Sequence, residues 1–217
     1  MTLADVDVEQ PPPPPPPART GRRLRALGIV AGVLVLTLAG AGLAASMYYD
    51  SIPEPGEFRV DHAVADVTEL PLPVLNTFVA AVDPAFYEDP FRPWSASLIT
   101  RRYVAYAAQD ADASSTRIGI MADRLDDQYT HQQILGFYLN TADFGRGAIG
   151  LEPAAQAYFG KPATRLTVAE AAVLAAELAP DAPANRMAAW EQVLRSMVAR
   201  GWLAQADLTV LSYPTIR

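Results

Sequence analysis

The sequence of 217 residues contains no cysteine, which excludes a disulfide framework, a cysteine nucleophile and a cysteine metal site. Only two histidines are present, His62 and His131, and they are too few and too separated to predict a histidine metal cluster. The net charge is −7, which argues against a nucleic-acid-binding surface. The composition therefore predicts neither a bound metal nor a nucleic-acid partner.

The first 25 residues have the composition of a tail. An unbroken run of prolines at 11–17 follows an acidic start, and polyproline favours an extended helix that cannot build a core. Arginines follow at positions 19, 22, 23 and 25. We interpret 1–25 as a proline-rich cytoplasmic tail with a basic flank, and the alternative is a ligand for a proline-recognition domain.

Residues 26–49 contain no charged side chain and exceed the roughly 20 apolar residues that span a bilayer as a helix. Because the arginines precede this stretch, the positive-inside rule predicts a cytoplasmic N-terminus and an extracytoplasmic domain. A cleaved signal peptide is the alternative, since small residues occupy 44–46. Signal peptides have shorter apolar regions of about 7–15 residues, so we predict a single-pass anchor in the cell membrane.

The chain after residue 49 begins with a proline-interrupted segment, 50–71, which we interpret as a juxtamembrane connector with a short strand near 58–60. From residue 72 onward, apolar residues recur at the spacing of amphipathic helices. The predicted helices are 72–86, 95–108, 117–129, 131–139, 151–158, 188–200 and 204–211. Strand patterns are rare, so 72–217 is predicted to form a mainly α domain.

Residues 134–178 are the most strongly patterned part of this domain. Gly145, Gly147 and Gly150 follow a predicted helix end, and this spacing predicts a turn with positive φ or close backbone approach. A further helix is expected directly after Thr167. Thr167 and Glu170 have the spacing of a capping box just before an apolar run.

The same block resembles a known family. It contains YLN at 138–140, FGRG at 144–147, Gly150, an alanine pair at 154–155, YFGK at 158–161 and LTVAEAA at 166–172. In order and spacing, these motifs are similar to the C-terminal half of the family-51 peptidoglycan glycosyltransferases, the transglycosylase domain of penicillin-binding proteins. The resemblance implies a lysozyme-like helical glycosyltransferase domain behind a single N-terminal transmembrane helix. Residues 190–208 also resemble the closing helix-glycine-helix of the family, and we expect no transpeptidase domain after them.

Glycosyl transfer requires a general base for the acceptor hydroxyl and positive charge for the departing diphosphate. In the family, the base is the glutamate of the motif E-D-x-x-F-Y-x-H, and a second essential glutamate ends the motif R-K-x-x-E. Asp83, Phe86 and Tyr87 match the first motif here, but the two glutamate positions are Val82 and Ile118. Neither side chain can accept a proton, so the resemblance implies a family member with degenerate catalytic motifs.

The family motif G-G-S-T-I-T-Q-Q aligns with residues 95–102, where Ser97, Ile99 and Thr100 match. The glycines and glutamines of the motif have no match in this chain. The resemblance assigns substrate binding to Ser97 and Thr100. Arg101 and Arg102 do not match the motif, but they are further candidates for substrate binding, since guanidinium groups suit phosphate. The alternatives are that 95–104 is the helix preceding a lost motif, and that the arginines face solvent.

Two carboxylates lie near the lost base position, Asp83 and Glu88, and we name them as candidate catalytic residues. The alternative is that both belong to a helix end or an exposed loop. The glutamate of the family segment I-L-E-x-Y-L-N is also absent, since the chain has Gly136 there. The family often uses a divalent metal, but the sequence identifies no ligand set for one, and we predict no cofactor.

Three hypotheses for function follow from the resemblance. The first is a membrane-anchored glycosyltransferase-like domain of cell-wall biogenesis that is impaired in glycosyl transfer and binds the lipid-linked precursor lipid II or cell-wall synthesis proteins. The second is an active enzyme that polymerises lipid II with a rearranged site. The third is a non-enzymatic membrane scaffold. A lysozyme-like hydrolase would also need a placed carboxylic acid, and the sequence identifies none.

Overall fold

The computed structural model describes residues 20–51, 62–88, 96–109 and 115–217. The chain divides into two compact units, Met1–Ser51 and Ile52–Arg217. The strand predicted near 58–60 lies outside the described residues.

The first unit contains one long helix, α1 (Thr20–Ser51). Its stretch Leu27–Tyr48 is 22 residues long with a mean hydropathy of 2.3, and none of it is buried against protein. Large apolar side chains along this stretch are exposed, which in water would be unfavourable. The apolar helix predicted at 26–49 is confirmed, and its length and composition fit a membrane span.

The second unit is helical, as predicted. Its helices are α2 (Leu72–Val82), α3 (Leu98–Ala107), α4 (Thr116–Gln128), α5 (His131–Thr141), α6 (Leu151–Phe159), α7 (Val168–Leu178), α8 (Arg186–Ala199) and α9 (Gln205–Val210). Two short 3₁₀ segments, Val67–Glu69 and Ala163–Arg165, are also present among the described residues. The described residues contain no strand, only an isolated bridge between Asp143 and Ile149. The mainly α prediction is confirmed.

Helix α2 lies at the centre of the core. It packs against α7 and α8, while α3 packs against α4 and α5. Phe78 and Val79 on α2 are fully buried, as their helical spacing predicts. Burying a side chain of this size stabilises the fold by about 1.5–3 kcal/mol. On α8, Trp190 is buried and its indole N–H donates to the carbonyl of Ala169 at 2.9 Å, which joins α8 to α7.

Helix α2 ends four residues earlier than predicted. The prediction extended it to residue 86, but the helix ends at Val82 and Asp83 has φ −152° and ψ 86°. The reason is Pro84, because the proline ring disfavours helical backbone at the residue before it. The prediction underestimated this effect, and residues 83–88 instead form a turn.

The capping box predicted for α7 is confirmed. Thr167 accepts a hydrogen bond from the backbone of Glu170, and the Glu170 carboxylate accepts one from the Thr167 amide at 2.9 Å. Glu170 also pairs with Lys161 at 2.5 Å, which ties the preceding loop to the first turn of α7. A second capping box, between Thr130 and Gln133, starts α5.

The glycine turn before α6 has the predicted backbone. Gly145, Gly147 and Gly150 have φ of 75°, 74° and 93°, and Arg146 between them also has a positive φ of 54°. Positive φ is uncommon for a residue with a side chain. Arg146 is supported from α6, because its guanidinium lies 4.5 Å from the centre of the Tyr158 ring. The Tyr158 hydroxyl donates to the carbonyl of Phe144 at 2.6 Å.

Residues 62–70, which the sequence assigns to the connector, pack on the helical domain; we call them the strap. The side chain of Asn140 accepts from the amide of Ala65 at 2.8 Å and donates to its carbonyl at 3.0 Å. A Cβ at Gly136 would lie 2.9 Å from Val67, so the glycine there is what lets the strap approach α5. His62 packs closely on Gly150 in the same way, since a Cβ on Gly150 would lie 2.6 Å from the His62 ring.

We predict that Asn140→Ala destabilises the domain. The substitution leaves the buried amide and carbonyl of Ala65 without partners, and each such group costs about 1–3 kcal/mol. Urea unfolding of the full-length protein in detergent measures the free energy of unfolding. Gln132→Ala is the control, since Gln132 is exposed on the same helix and should change stability by less than about 0.5 kcal/mol. Equal effects of the two substitutions would contradict the importance of the strap contact.

Candidate functional site

The two positions that the resemblance assigns to the family's glutamates lie in the apolar core. Val82, the last residue of α2, is 4 % exposed, and Ile118 on α4 is fully buried. An ionised carboxylate at either depth would be desolvated at a cost of several kcal/mol unless it were paired. Both positions therefore contribute to packing in this chain and can exchange no proton.

Asp83 stabilises the start of α3. One carboxylate oxygen accepts from the amide of Leu98, the first residue of α3, at 2.8 Å. The other accepts from the amide of Ala85 at 3.2 Å. A negative charge at a helix N-terminus satisfies an otherwise unpaired N–H and interacts favourably with the helix dipole. Both oxygens of this predicted catalytic residue are thus used by backbone amides.

Glu88 is exposed and forms an ion pair with Arg200, which follows α8. The pair links the turn after α2 to the end of α8. Glu88 therefore lies at the surface, where its carboxylate is already paired with a cation. The structure does not bring Glu88 and Asp83 to a common ligand, and their catalytic role stays a prediction.

Ser97 and Thr100, two predicted substrate-binding residues, form a chain of hydroxyl groups. The Thr100 hydroxyl donates to the Asp126 carboxylate on α4 at 2.8 Å and lies 2.9 Å from the Ser97 hydroxyl. The Ser97 oxygen also accepts from the amide of Thr100 and caps α3. Thr100 is fully buried, and these hydrogen bonds connect α3 to α4.

Asp126 is the functional candidate that sequence reasoning missed. Burial raises the pKa of its carboxyl, while the hydrogen bond from Thr100 and the nearby His131 act in the opposite direction. Burial also raises the pKa of Asp123, one turn earlier on α4. The sequence signal is acidic residues at 123, 126 and 127, a pattern that by itself is typical of an exposed helix face.

Aromatic residues of the retained motif pack against His131, which acts electrostatically on the Asp126 carboxylate. Phe86 and Tyr87 contact the His131 ring, with centroids 5.0 Å and 6.2 Å away. Tyr87 also contacts Trp202, at 5.9 Å. The retained phenylalanine and tyrosine therefore join the turn after α2 to the start of α5 and to the segment after α8.

The two predicted phosphate-binding arginines hold helices together. Arg101 donates to the carbonyl of Ser115 at 3.1 Å, and its guanidinium lies over Gly119 of α4, 2.7 Å from the position of a Cβ. Arg102 donates to the carbonyl of Leu178, at the C-terminus of α7, at 2.7 Å. A cation at that helix end is favourable.

Two depressions lie near these residues. A cleft of about 250 Å³ runs beside the end of α2 and is mostly apolar. It is lined by Ala80, Ala81, Val82, Pro84, Ala179, Pro180, Asp181, Ala182, Ala189, Gln192, Val193 and Ser196. A second groove, of about 590 Å³, lies on the other side of Ala179 and contains Arg102.

The described residues include no group of three or more histidine, aspartate or glutamate side chains that could hold a metal ion. A divalent metal of the kind the family often uses therefore finds no fitting ligand set in this part of the chain. We derive no catalytic step through such a metal.

Residues 95–200 match the family model described as Transglycosylase. Penicillin-binding protein 1A of Mycolicibacterium smegmatis is 28 % identical over 244 residues, covering 85 % of this chain and 30 % of the relative. The protein of the same name from Mycobacterium tuberculosis is 30 % identical over 194 residues, covering 75 % and 23 %. The biosynthetic peptidoglycan transglycosylase of Cronobacter sakazakii is 40 % identical over 90 residues, covering 37 % of each chain. The chain thus spans about a third or less of the first two relatives.

We predict that Asp83→Ala lowers stability, by about 0.5–2 kcal/mol as for other lost helix caps. Asp83→Asn should lower it less, because one amide oxygen remains as an acceptor. The free energy of unfolding in urea measures both effects. Unchanged stability in Asp83→Ala would contradict the capping role.

We predict that Asp126→Asn stabilises the protein at pH 7 and has no such effect at pH 3. Because burial raises the pKa of Asp126 in the folded state, its ionisation weakens folding as pH rises from the unfolded value, about 3.9, through the folded one. Asparagine keeps an acceptor for Thr100. Urea unfolding at both pH values provides the measurement, with the exposed Asp181 changed to asparagine as control. A variant less stable than the wild type at pH 7 would contradict this sign.

Proposed function

The chain belongs to the peptidoglycan transglycosylase family, and we propose that this member has lost glycosyl transfer by the family's two glutamates. In this proposal it acts in cell-wall biogenesis as a membrane-anchored domain that binds the lipid-linked peptidoglycan precursor, lipid II. Cell-wall synthesis proteins would be its further binding partners.

One observation carries the loss of activity. The side chains at the two glutamate positions, Val82 and Ile118, are apolar and buried, while the scaffold around them is intact. The nearby Asp83 is occupied by two backbone amides. Glu88 is paired with Arg200. None of these groups combines the freedom and the desolvation that a general base for a sugar hydroxyl requires.

Membrane anchoring is the second part of the proposal. It is supported by the apolar stretch Leu27–Tyr48 and by the arginines that precede it, which favour a cytoplasmic N-terminus. We propose that residues 1–25 form a cytoplasmic tail, 26–49 the membrane span and 50–71 a juxtamembrane connector whose residues 62–70 pack on the domain as the strap. Residues 72–217 would then form the extracytoplasmic glycosyltransferase-like domain.

Precursor binding is supported by the relatives, since one group is named biosynthetic peptidoglycan transglycosylase. Lipid-linked precursors reside in the membrane, so a membrane-anchored domain meets its ligand at the bilayer surface. A purely structural scaffold is the alternative if the domain binds no precursor.

An active enzyme with a rearranged site is the second candidate, and Asp126 is the observation that favours it. Its pKa is raised by burial, and it is connected to Ser97 through the Thr100 hydroxyl. A partly buried carboxyl at the end of a hydroxyl chain has properties of a general base.

Polymerisation of lipid-linked disaccharide-pentapeptide by the full-length protein tests the proposal. We expect no polymer from the wild type, with or without divalent metal, because Val82 and Ile118 can accept no proton at the two glutamate positions. Asp83→Ala, Glu88→Ala and Asp126→Asn run alongside. Polymer formed by the wild type but not by one of the variants would overturn the proposed loss of activity and identify the replacement base. Saturable precursor binding without polymer is the expected outcome.

A further inference from the structure

The groove that contains Arg102 is a candidate binding site outside the family's catalytic motifs. Its volume of about 590 Å³ falls within the 300–1,000 Å³ or so that is typical of small-molecule sites. It is lined by Arg102, Tyr106, Tyr138, Thr141, Ala142, Asp143, Ile149, Glu177, Leu178 and Ala179. These residues come from α3, from the end of α5 and the turn after it, and from the end of α7.

Arg102 and Tyr138 provide hydrogen-bond donors for an anion. Both hydrogen bonds that Arg102 makes to described residues leave from Nη1, one to Leu178 and one to the Tyr138 hydroxyl oxygen at 3.3 Å. Nε and Nη2 keep their donor capacity, and this edge of a guanidinium suits a carboxylate. Burial raises the pKa of Tyr138, so the phenol stays protonated and can donate its own hydrogen.

Asp143 and Glu177 give the groove negative charge as well. One oxygen of Asp143 accepts from the amide of Gly145 at 2.8 Å, which leaves the other oxygen as an acceptor. Glu177 lies 3.4 Å from Arg186 through one oxygen, and its other oxygen lies near Gly145. A cationic group could therefore bind between these two carboxylates.

Apolar surface completes the groove. Tyr106, one turn after Arg102 on α3, is 48 % exposed, and Ile149 in the glycine turn is 44 % exposed. An aromatic ring and an aliphatic side chain can cover the methylene groups of a long basic side chain while its charged end reaches a carboxylate. The lining thus combines a cation, two anions and apolar walls in one depression.

We propose that this groove binds a short peptide that carries both a free carboxylate and an ammonium group. The carboxylate binds Arg102 and Tyr138, and the ammonium group binds Asp143 and Glu177. We assign the peptide to the lipid-linked precursor, whose pentapeptide would lie beside the cleft that contains Val82, because Ala179 lines both depressions. This assignment rests on the proposed precursor binding.

The first test uses the tripeptide N-acetyl-Lys-Ala-Ala, whose only charges are one ammonium and one carboxylate. Its binding to the full-length protein in detergent is measured by calorimetry. Two analogues, the C-terminal amide and the peptide with norleucine in place of lysine, should each bind about tenfold more weakly, as expected for a lost charge-assisted hydrogen bond. Equal affinities for all three peptides would overturn the proposal without any change to the protein.

Protein variants assign each charge to its partner. In Arg102→Ala, the tripeptide and its C-terminal amide should bind with equal affinity, because the carboxylate of the tripeptide has lost its cation. In Glu177→Gln, the affinities of the lysine and norleucine peptides should differ less than in the wild type. The affinities of the tripeptide and its C-terminal amide should still differ about tenfold. This pattern is a double-mutant cycle. Glu191→Gln is the matched control, since Glu191 lies on α8 and pairs with Arg195 away from the groove.

Arg102 also holds α7, so Arg102→Ala could unfold the domain. Tyr106→Ala is the second variant, because Tyr106 is exposed and its loss should weaken binding of the lysine peptide with unchanged thermal unfolding. If folded Tyr106→Ala and Glu177→Gln proteins both bind the tripeptide like the wild type, the groove is not the site.

The intact precursor and a precursor without peptide separate this inference from the proposed function. Intact precursor that binds about tenfold more tightly, with a smaller difference in Glu177→Gln, supports both. Equal binding of the two precursors overturns the groove assignment and leaves precursor binding in place. If neither precursor binds, the proposed function fails, and charge-dependent binding of the tripeptide alone then supports the groove as a site for a peptide from another source.

Discussion

The buried side chain of Asn140 is the contact on which the arrangement of the helical domain depends most. Its amide pairs with both backbone groups of Ala65 and with the carbonyl of Gly136, and it does so where only 4 % of its surface is exposed. Buried polar groups of this kind stabilise a fold only when all of them are paired. The strap, α5 and the glycine turn therefore have one geometry in which they fit together.

That fit is independent of the residues that would perform catalysis. The positions of Val82 and Ile118 lie in the core between helices, and apolar side chains pack there without leaving a charge unpaired. The adjacent carboxylates are used by the fold, since Asp83 caps α3 and Asp126 receives the Thr100 hydroxyl. The scaffold therefore requires no carboxylate at these two positions, because its stability comes from packing and capping.

In the groove that contains Arg102, side chains with structural roles also keep polar atoms for a ligand. Arg102 has a structural role at the end of α7, yet its hydrogen bonds to the described residues use Nη1 alone. Asp143 and Glu177 likewise keep one carboxylate oxygen each for a ligand. The domain presents these groups at a fixed geometry whether or not it transfers sugars, which is what recognition of a charged peptide requires.

The sequence by itself determined that the domain is helical, the cap of α7 and the turn that organises the domain. These features arise from residues within four positions of each other, such as Thr167 and Glu170, or from one residue's own backbone preference, such as Gly150. The apolar N-terminal span and the family resemblance are local patterns of the same kind. Only the tertiary structure decided what the site residues contact. Asp83 meets Leu98, Thr100 meets Asp126, and Arg102 meets Leu178 across 15, 26 and 76 positions, and no spacing rule encodes such pairs because they depend on how whole helices pack.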